Sequence, residues 1–120
     1  MHRSFLAHYI CTEQGVFEQS VLHIDEATGQ VSIFPYEKET PDTRFCDGVL
    51  VAVNSSFQMK KQELLDALNE REYNSLHDIA HALSASPYLP AMVKQPLSVL
   101  YSLRFDVRTH RLYWQEVARL

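Results

Sequence analysis

Apolar and polar side chains alternate between residues 97 and 107. Leu97, Val99, Tyr101, Leu103, Phe105 and Val107 hold one set of positions, and Ser98, Ser102, Arg104 and Asp106 hold the other. Successive side chains of a strand point to opposite faces, so the pattern predicts a long strand with one face buried and one largely solvated. Leu100 is the one apolar residue on the solvated side. Residues 4–12 predict a second strand, with Phe5, Ala7, Tyr9 and Cys11 on one face and Leu6, His8 and Ile10 on the other. Apolar residues on both faces suit an interior strand. Gln14-Gly15 turns the chain. Residues 20–25 and 30–34 then flank Asp25-Glu26-Ala27-Thr28-Gly29, a hairpin loop closed by a glycine that accepts positive φ, which completes a three-stranded meander. Residues 36–47 are polar and lie just beyond Pro35 and around Pro41, which predicts a surface loop or irregular edge. Asp47-Gly48 ends it and launches an apolar strand at 49–53.

The period then changes. Leu64, Leu65 and Leu68 form a narrow stripe on a helix that Ser56 or a neighbour caps and that runs to about Asn69, while Lys60, Lys61, Glu63 and Asp66 face water. Ser75 and Asp78 have capping-box spacing, and Leu76, Ile79, Ala80 and Leu83 recur at helical intervals, so a second helix starts at Ser75 and stops before Pro87 and Pro90. A connector at 86–96 leads to the long strand. A turn at Arg108-Thr109-His110-Arg111 and a last strand at 112–117 follow, with Leu112 and Trp114 continuing the alternation. The predicted fold is a single α+β domain over residues 1–120. It has a mainly antiparallel sheet, or a small β-sandwich, made from the N-terminal meander and C-terminal hairpin, with two helices inserted in the middle.

Composition narrows the function classes. The chain has 120 residues, 46% hydrophobic and 22% charged, which suits one globular core without staples. A net charge of −4 with mixed signs offers no general attraction to nucleic acid or to anionic lipid. No apolar run reaches the 18 to 20 or so residues that span a bilayer, and His8 interrupts the start too early for a secretory signal, so a cytoplasmic location is expected. Cys11 and Cys46 then read as a strand thiol and a loop thiol that stay reduced.

Phe5-Leu6-Ala7-His8-Tyr9-Ile10, Gly15, Val21-Leu22-His23-Ile24-Asp25, Thr28-Gly29-Gln30-Val31 and Phe45-Cys46-Asp47-Gly48-Val49-Leu50-Val51 follow one another in an order that resembles the opening of the amidohydrolase superfamily of metal-dependent hydrolases. The tail, with Val99-Leu100-Tyr101, Phe105-Asp106, Arg111-Leu112 and Val117-Ala118-Arg119-Leu120, is similar to their closing strands. The resemblance implies a β-rich composite domain built from the two ends of the chain. In that family a metal-bearing barrel is inserted between the ends, and a His-x-His pair follows the strand. Here Ser56 and Gln58 stand at those positions, and the insert is far shorter than the roughly 200 residues of a barrel. What the resemblance implies is a composite-domain module without the family's activity.

One motif invites chemistry. His77-Asp78-Ile79-Ala80-His81 places two imidazoles at i and i+4 on one helix face with an acidic residue after the first, the spacing of zinc-protease helices, although Asp is one carbon shorter than the usual Glu and no third ligand lies nearby in sequence. The same residues also read as the solvent border of the Leu76, Ile79, Leu83 stripe. His8 and His23 are placed to face each other across the first sheet. Tyr101 and Trp114 read as core, with Tyr113 beside them, and Arg104, Arg108, His110, Arg111 and Arg119 read as a solvated basic face. Ser55, Ser56, Ser84 and Ser86 have no base in a recognisable pattern. The reading that follows is a non-enzymatic protein without catalytic residues, metal or cofactor, which acts through protein interaction, as a homodimer or with a partner strand at an open sheet edge. Its alternatives are a metal-dependent hydrolase using His77, Asp78 and His81, and a small-molecule binding module.

Overall fold

The computed structural model describes residues 2–36 and 43–120. Strands β1 (His2–Thr12), β2 (Gly15–Asp25), β3 (Gln30–Pro35), β4 (Thr43–Phe45) and β5 (Val49–Val53) come first. Helices α1 (Phe57–Asn69), α2 (Leu76–Ser84) and the short α3 (Leu89–Met92) follow, and β6 (Val99–Asp106) and β7 (Arg111–Arg119) close the chain. All seven strands belong to one sheet in the order β3-β2-β1-β5-β6-β7, with β4 pairing the outer half of β1. The two ends of the chain therefore share a sheet, and the fold is α+β as the alternation predicts. Pairing is antiparallel except where β4 and β5 run parallel to β1. Part of the expected polar loop is β4; its residues 37–42 lie outside the described residues.

The sheet is not flat. Tyr9 lies opposite Val49, and Arg119 lies opposite Val99, which faces Val53. In a flat sheet Arg3 and Arg119 would sit about ten residues, roughly 33 Å, apart along the strands. Yet the Arg3 guanidinium donates a hydrogen bond to the Arg119 carbonyl. The outer half of β1, with β2, β3 and β4, has folded back over the β5-β6-β7 face. The bend falls where His8 and Gln19 drop out of the pairing and Gln19 adopts a φ of 44°. An irregularity there exchanges the faces: Phe5 and Ala7 join Ile10 in one core, while Tyr9 and Cys11 turn to the other. The expectation that Phe5, Ala7, Tyr9 and Cys11 share a face is corrected by that bend. Beside Leu100 and Tyr101 a register shift in β7 does the same, setting Ala118 on the face opposite Leu112 and Trp114.

Two cores result. Between the folded halves of the sheet lie Phe5, Ile10, Leu22, Ile24, Cys46, Leu50, Ala52 and Leu100. Between sheet and helices lie Cys11, Val49, Val51, Val53, Phe57, Leu64, Leu68, Ile79, Leu83, Tyr101 and Leu103. The central part of β6 is thus buried on both faces, and Leu100 is fully enclosed instead of facing water. Ser102 is buried too, its hydroxyl donating to the Asp47 carbonyl. Phe105 and Val107 sit 40% and 74% exposed, beyond the reach of the helix layer, which corrects the expectation that they belong to the buried face.

The helices follow their stripes. Phe57, Leu64 and Leu68 are the buried positions of α1. Ser56 precedes α1 without making a side-chain cap; Asn54 organises the turn instead, accepting from the Ser56 N–H at 3.0 Å and donating to the carbonyls of Ala91 and Lys94. Ser75 caps α2 as its spacing predicts, accepting from the Asp78 N–H at 3.2 Å. The connector holds a third, four-residue helix in place of a plain loop, with Pro90 in its first turn, where a missing N–H costs nothing. No described helix is long and apolar enough to cross a membrane.

Candidate metal centre

Helix α2 lies over β1, β2 and β5. Ile79, Ala80 and Leu83 face the sheet, and the Cys11 thiol donates to the Ala80 carbonyl at 3.4 Å. With that face buried, the helix turns His77 and His81 toward the rim of the sheet, their rings 4.3 Å apart. The hairpin β1-β2 supplies what lies beneath them. Tyr9 and Glu18 are cross-strand partners and so share a face, the helix side. The Tyr9 ring meets the His77 ring edge-on at 5.7 Å, and Glu18 Oε1 stands 3.2 Å from His77 Nδ1.

Glu18, His77 and His81 each offer one ligand atom, and these atoms lie within 4.8 Å of one another. At bond lengths near 2.05 Å, two corners of a zinc tetrahedron are about 3.3 Å apart. The Glu18–His77 separation already matches that edge. His81 is exposed, as are its two partners, so rotation about its own side-chain bonds closes the remaining gap. Two imidazoles and one carboxylate are the donor set of catalytic zinc sites that keep a fourth position for water. That corner faces solvent, because the side chains of Glu18 and His77 remain 59% and 48% accessible.

A cavity of about 330 Å³ adjoins His81, walled by Arg71, Glu72, Tyr73, Asp78, Ala82 and Ala85. The Asp78 carboxylate therefore shares a cavity with one of the proposed ligands. The sequence motif is brought together as its helical spacing predicts. The third member, Glu18, escaped sequence reading because the second strand was begun at Ser20, leaving Glu18 outside any element. Its signal was the two-residue turn at Glu13-Gln14, which sets Thr12 against Gly15 and hence Tyr9 against Glu18.

The other sequence candidates disperse. His8 packs edge-on against Phe45 at 5.4 Å, whereas His23 lies opposite Ser4, its Nδ1 2.9 Å from the Ser4 hydroxyl, so the two histidines do not face each other. Tyr101 is buried beside Phe57 and Trp114 packs half-buried against it, at ring distances of 4.7 and 5.0 Å. Arg104 pairs with Asp47, and Arg119 with Glu116, on a solvated face. Both cysteines are free and buried, one in each core, with the sheet between them. Burial pushes the Cys11 thiol up to about 12. Cys46 is raised as well, chiefly by burial; Arg44 and Arg104 pull it down and Asp47 adds to the rise.

Comparison with protein-family models, with curated proteins and with solved structures finds no match. The function must be read from the site itself. The Glu18, His77, His81 cluster overturns the expectation of a non-catalytic interaction protein, since the third ligand that the sequence lacked near the motif arrives from β2.

Proposed function

We propose that the chain is a metal-dependent hydrolase of a small substrate, with Glu18, His77 and His81 holding a divalent cation such as zinc and Asp78 acting as general base. The observation that carries this reading is the approach of Glu18 from the sheet to two imidazoles on α2, which turns a two-residue motif into a three-ligand site. A cation held by Glu18, His77 and His81 would supply Lewis-acid activation of a water. Asp78 would take a proton from the attacking water and return it to the leaving group as the bond to the substrate carbonyl breaks. Glu18 and Asp78 also offset the positive end of α2, beside which the cation would sit.

The resemblance to the amidohydrolase composite domain rests on the sequence pattern alone, since a sheet shared by the two chain ends with helices between them is a general α+β arrangement. In that reading the three helices replace the barrel, and the metal is held by α2 and the sheet instead of by barrel strands.

Calorimetric titration with zinc tests the site directly. One equivalent should bind, and Glu18→Ala, His77→Ala and His81→Ala should each weaken binding at least 100-fold. Hydrolysis of chromogenic esters and amides by the zinc-loaded protein should fall with Asp78→Asn while zinc affinity stays put. Absence of stoichiometric binding in the parent protein removes the reading.

A further inference from the structure

The cavity beside His81 contains a cation whose charge no carboxylate among the described residues answers. Among the described residues, Arg71 makes no ion pair, although Glu72 and Asp78 wall the same cavity. Its guanidinium is held instead over the Tyr73 ring, 5.9 Å from the centroid. Tyr73 is itself fixed, its hydroxyl donating to the Leu68 carbonyl at 2.7 Å, and the backbone N–H of Arg71 donates to that same carbonyl at 3.4 Å. The turn after α1 thus presents a guanidinium stacked on Tyr73 at the same cavity that His81 lines. Burial raises the Tyr73 hydroxyl, and the neighbouring Arg71 charge opposes that rise.

We propose that Arg71 anchors a carboxylate of the substrate, so that the site takes small amides or esters bearing one free carboxylate; this rests on the metal-hydrolase reading above. A planar guanidinium fork recognises a carboxylate through two parallel hydrogen bonds. The cavity volume of about 330 Å³ equals some eleven waters, room for a compact molecule with its carboxylate on Arg71 and its carbonyl at the metal. Glu72 and Asp78 define the other limit. A phosphate dianion placed on Arg71 would meet both of their carboxylates, whereas a monoanion with a neutral amide or ester arm meets less repulsion. Charge therefore selects a monocarboxylate over a phosphate, and Arg71 selects it over a neutral compound.

The test uses the intact chain loaded with cobalt(II), whose visible spectrum reports on its ligands. Cobalt alone comes first: no stoichiometric uptake overturns the metal reading and this proposal together. With cobalt bound, succinamate, succinamide, acetate and inorganic phosphate are titrated separately. Succinamate should perturb the spectrum at a concentration at least tenfold lower than its neutral twin succinamide, and lower than acetate, which is too short to engage Arg71 and the metal together. Arg71→Gln should erase the tenfold preference while cobalt affinity is unchanged, and Arg71→Lys should restore part of it. Equal binding of succinamate and succinamide to the parent protein, an unchanged preference in Arg71→Gln, or tighter binding of phosphate than succinamate would overturn the proposal while leaving the metal site standing.

Discussion

The Cys11 thiol donates to the carbonyl of Ala80, tying the middle of α2 to β1 midway between the two histidines of the candidate centre. That contact sets the helix where His77 meets Glu18. Because Cys11 is 1% exposed, Cys11→Ala leaves a small void and removes the thiol's hydrogen bond, at a cost of about 1–2 kcal/mol. Thermal unfolding at pH 7 should show a midpoint lower by several degrees, and the variant should also bind zinc less tightly if α2 shifts.

The same thiol makes stability fall in alkali. Burial holds it near 12 in the native protein, against an ordinary value near 9, so above pH 9 the unfolded chain releases a proton that the native state keeps. The folded state then binds more protons than the unfolded one, and stability drops by about 1.4 kcal/mol per pH unit from pH 9 up to 12. Below pH 8 the group contributes nothing to the slope. Urea titrations at pH 8 and 10.5 should show the parent protein losing about 2 kcal/mol more than Cys11→Ala over that interval.

Thiol chemistry follows from burial as well. At pH 8 neither Cys11 nor Cys46 should react with an aromatic disulfide reagent in the native state, and two thiols should appear on denaturation. Fast labelling of either one in native buffer would contradict the enclosure described for both cores.

Metal should stabilise the fold by joining sheet to helix. With zinc at 100 times its dissociation constant the gain is about 2.7 kcal/mol, visible as a raised melting temperature that Glu18→Ala abolishes. A zinc-induced rise that persists in Glu18→Ala would mean the ion sits elsewhere.

Two glycines with positive φ should respond differently to alanine. At Gly48, with φ +84°, an added Cβ would meet the Leu103 carbonyl oxygen and the Ser102 hydroxyl at 2.4 and 2.6 Å, so Gly48→Ala must displace β6. Gly29 has φ +73° but open space around it, so Gly29→Ala carries only the backbone cost of about 1 kcal/mol. Denaturant midpoints of the two variants should separate clearly, with Gly48→Ala the lower.

Much of the fold was legible in local pattern. Alternation located β1 and the core of β6, the glycine-closed loop located β3, the apolar run after Gly48 located β5, and the spacing of Ser75 and Asp78 located the start of α2, because all these signals depend on neighbours within a few residues. Misreadings cluster where the sheet bends. Phe5 and Cys11 look equivalent by period two, yet the irregularity at His8 and Gln19 sends them to different cores. Leu100 looked misplaced on a wet face because nothing local announces that β1 and β2 fold back to cover it.

The candidate site divides along the same line. His77 and His81 share one face of α2 by helix geometry alone, with Asp78 beside the first, so the chain's own sequence determines that grouping, just as it determines the strands at either end and the helices between. Glu18 lies 59 residues before His77, and nothing local pairs them. Only the packing of α2 through Ile79, Ala80 and Leu83 onto β1 and β2, with the hairpin register that turns Glu18 to the helix side, decided that a carboxylate would stand beside the two imidazoles. Side-chain periodicity is a property of a few consecutive residues, whereas the choice of which buried faces meet depends on the energy of the whole core.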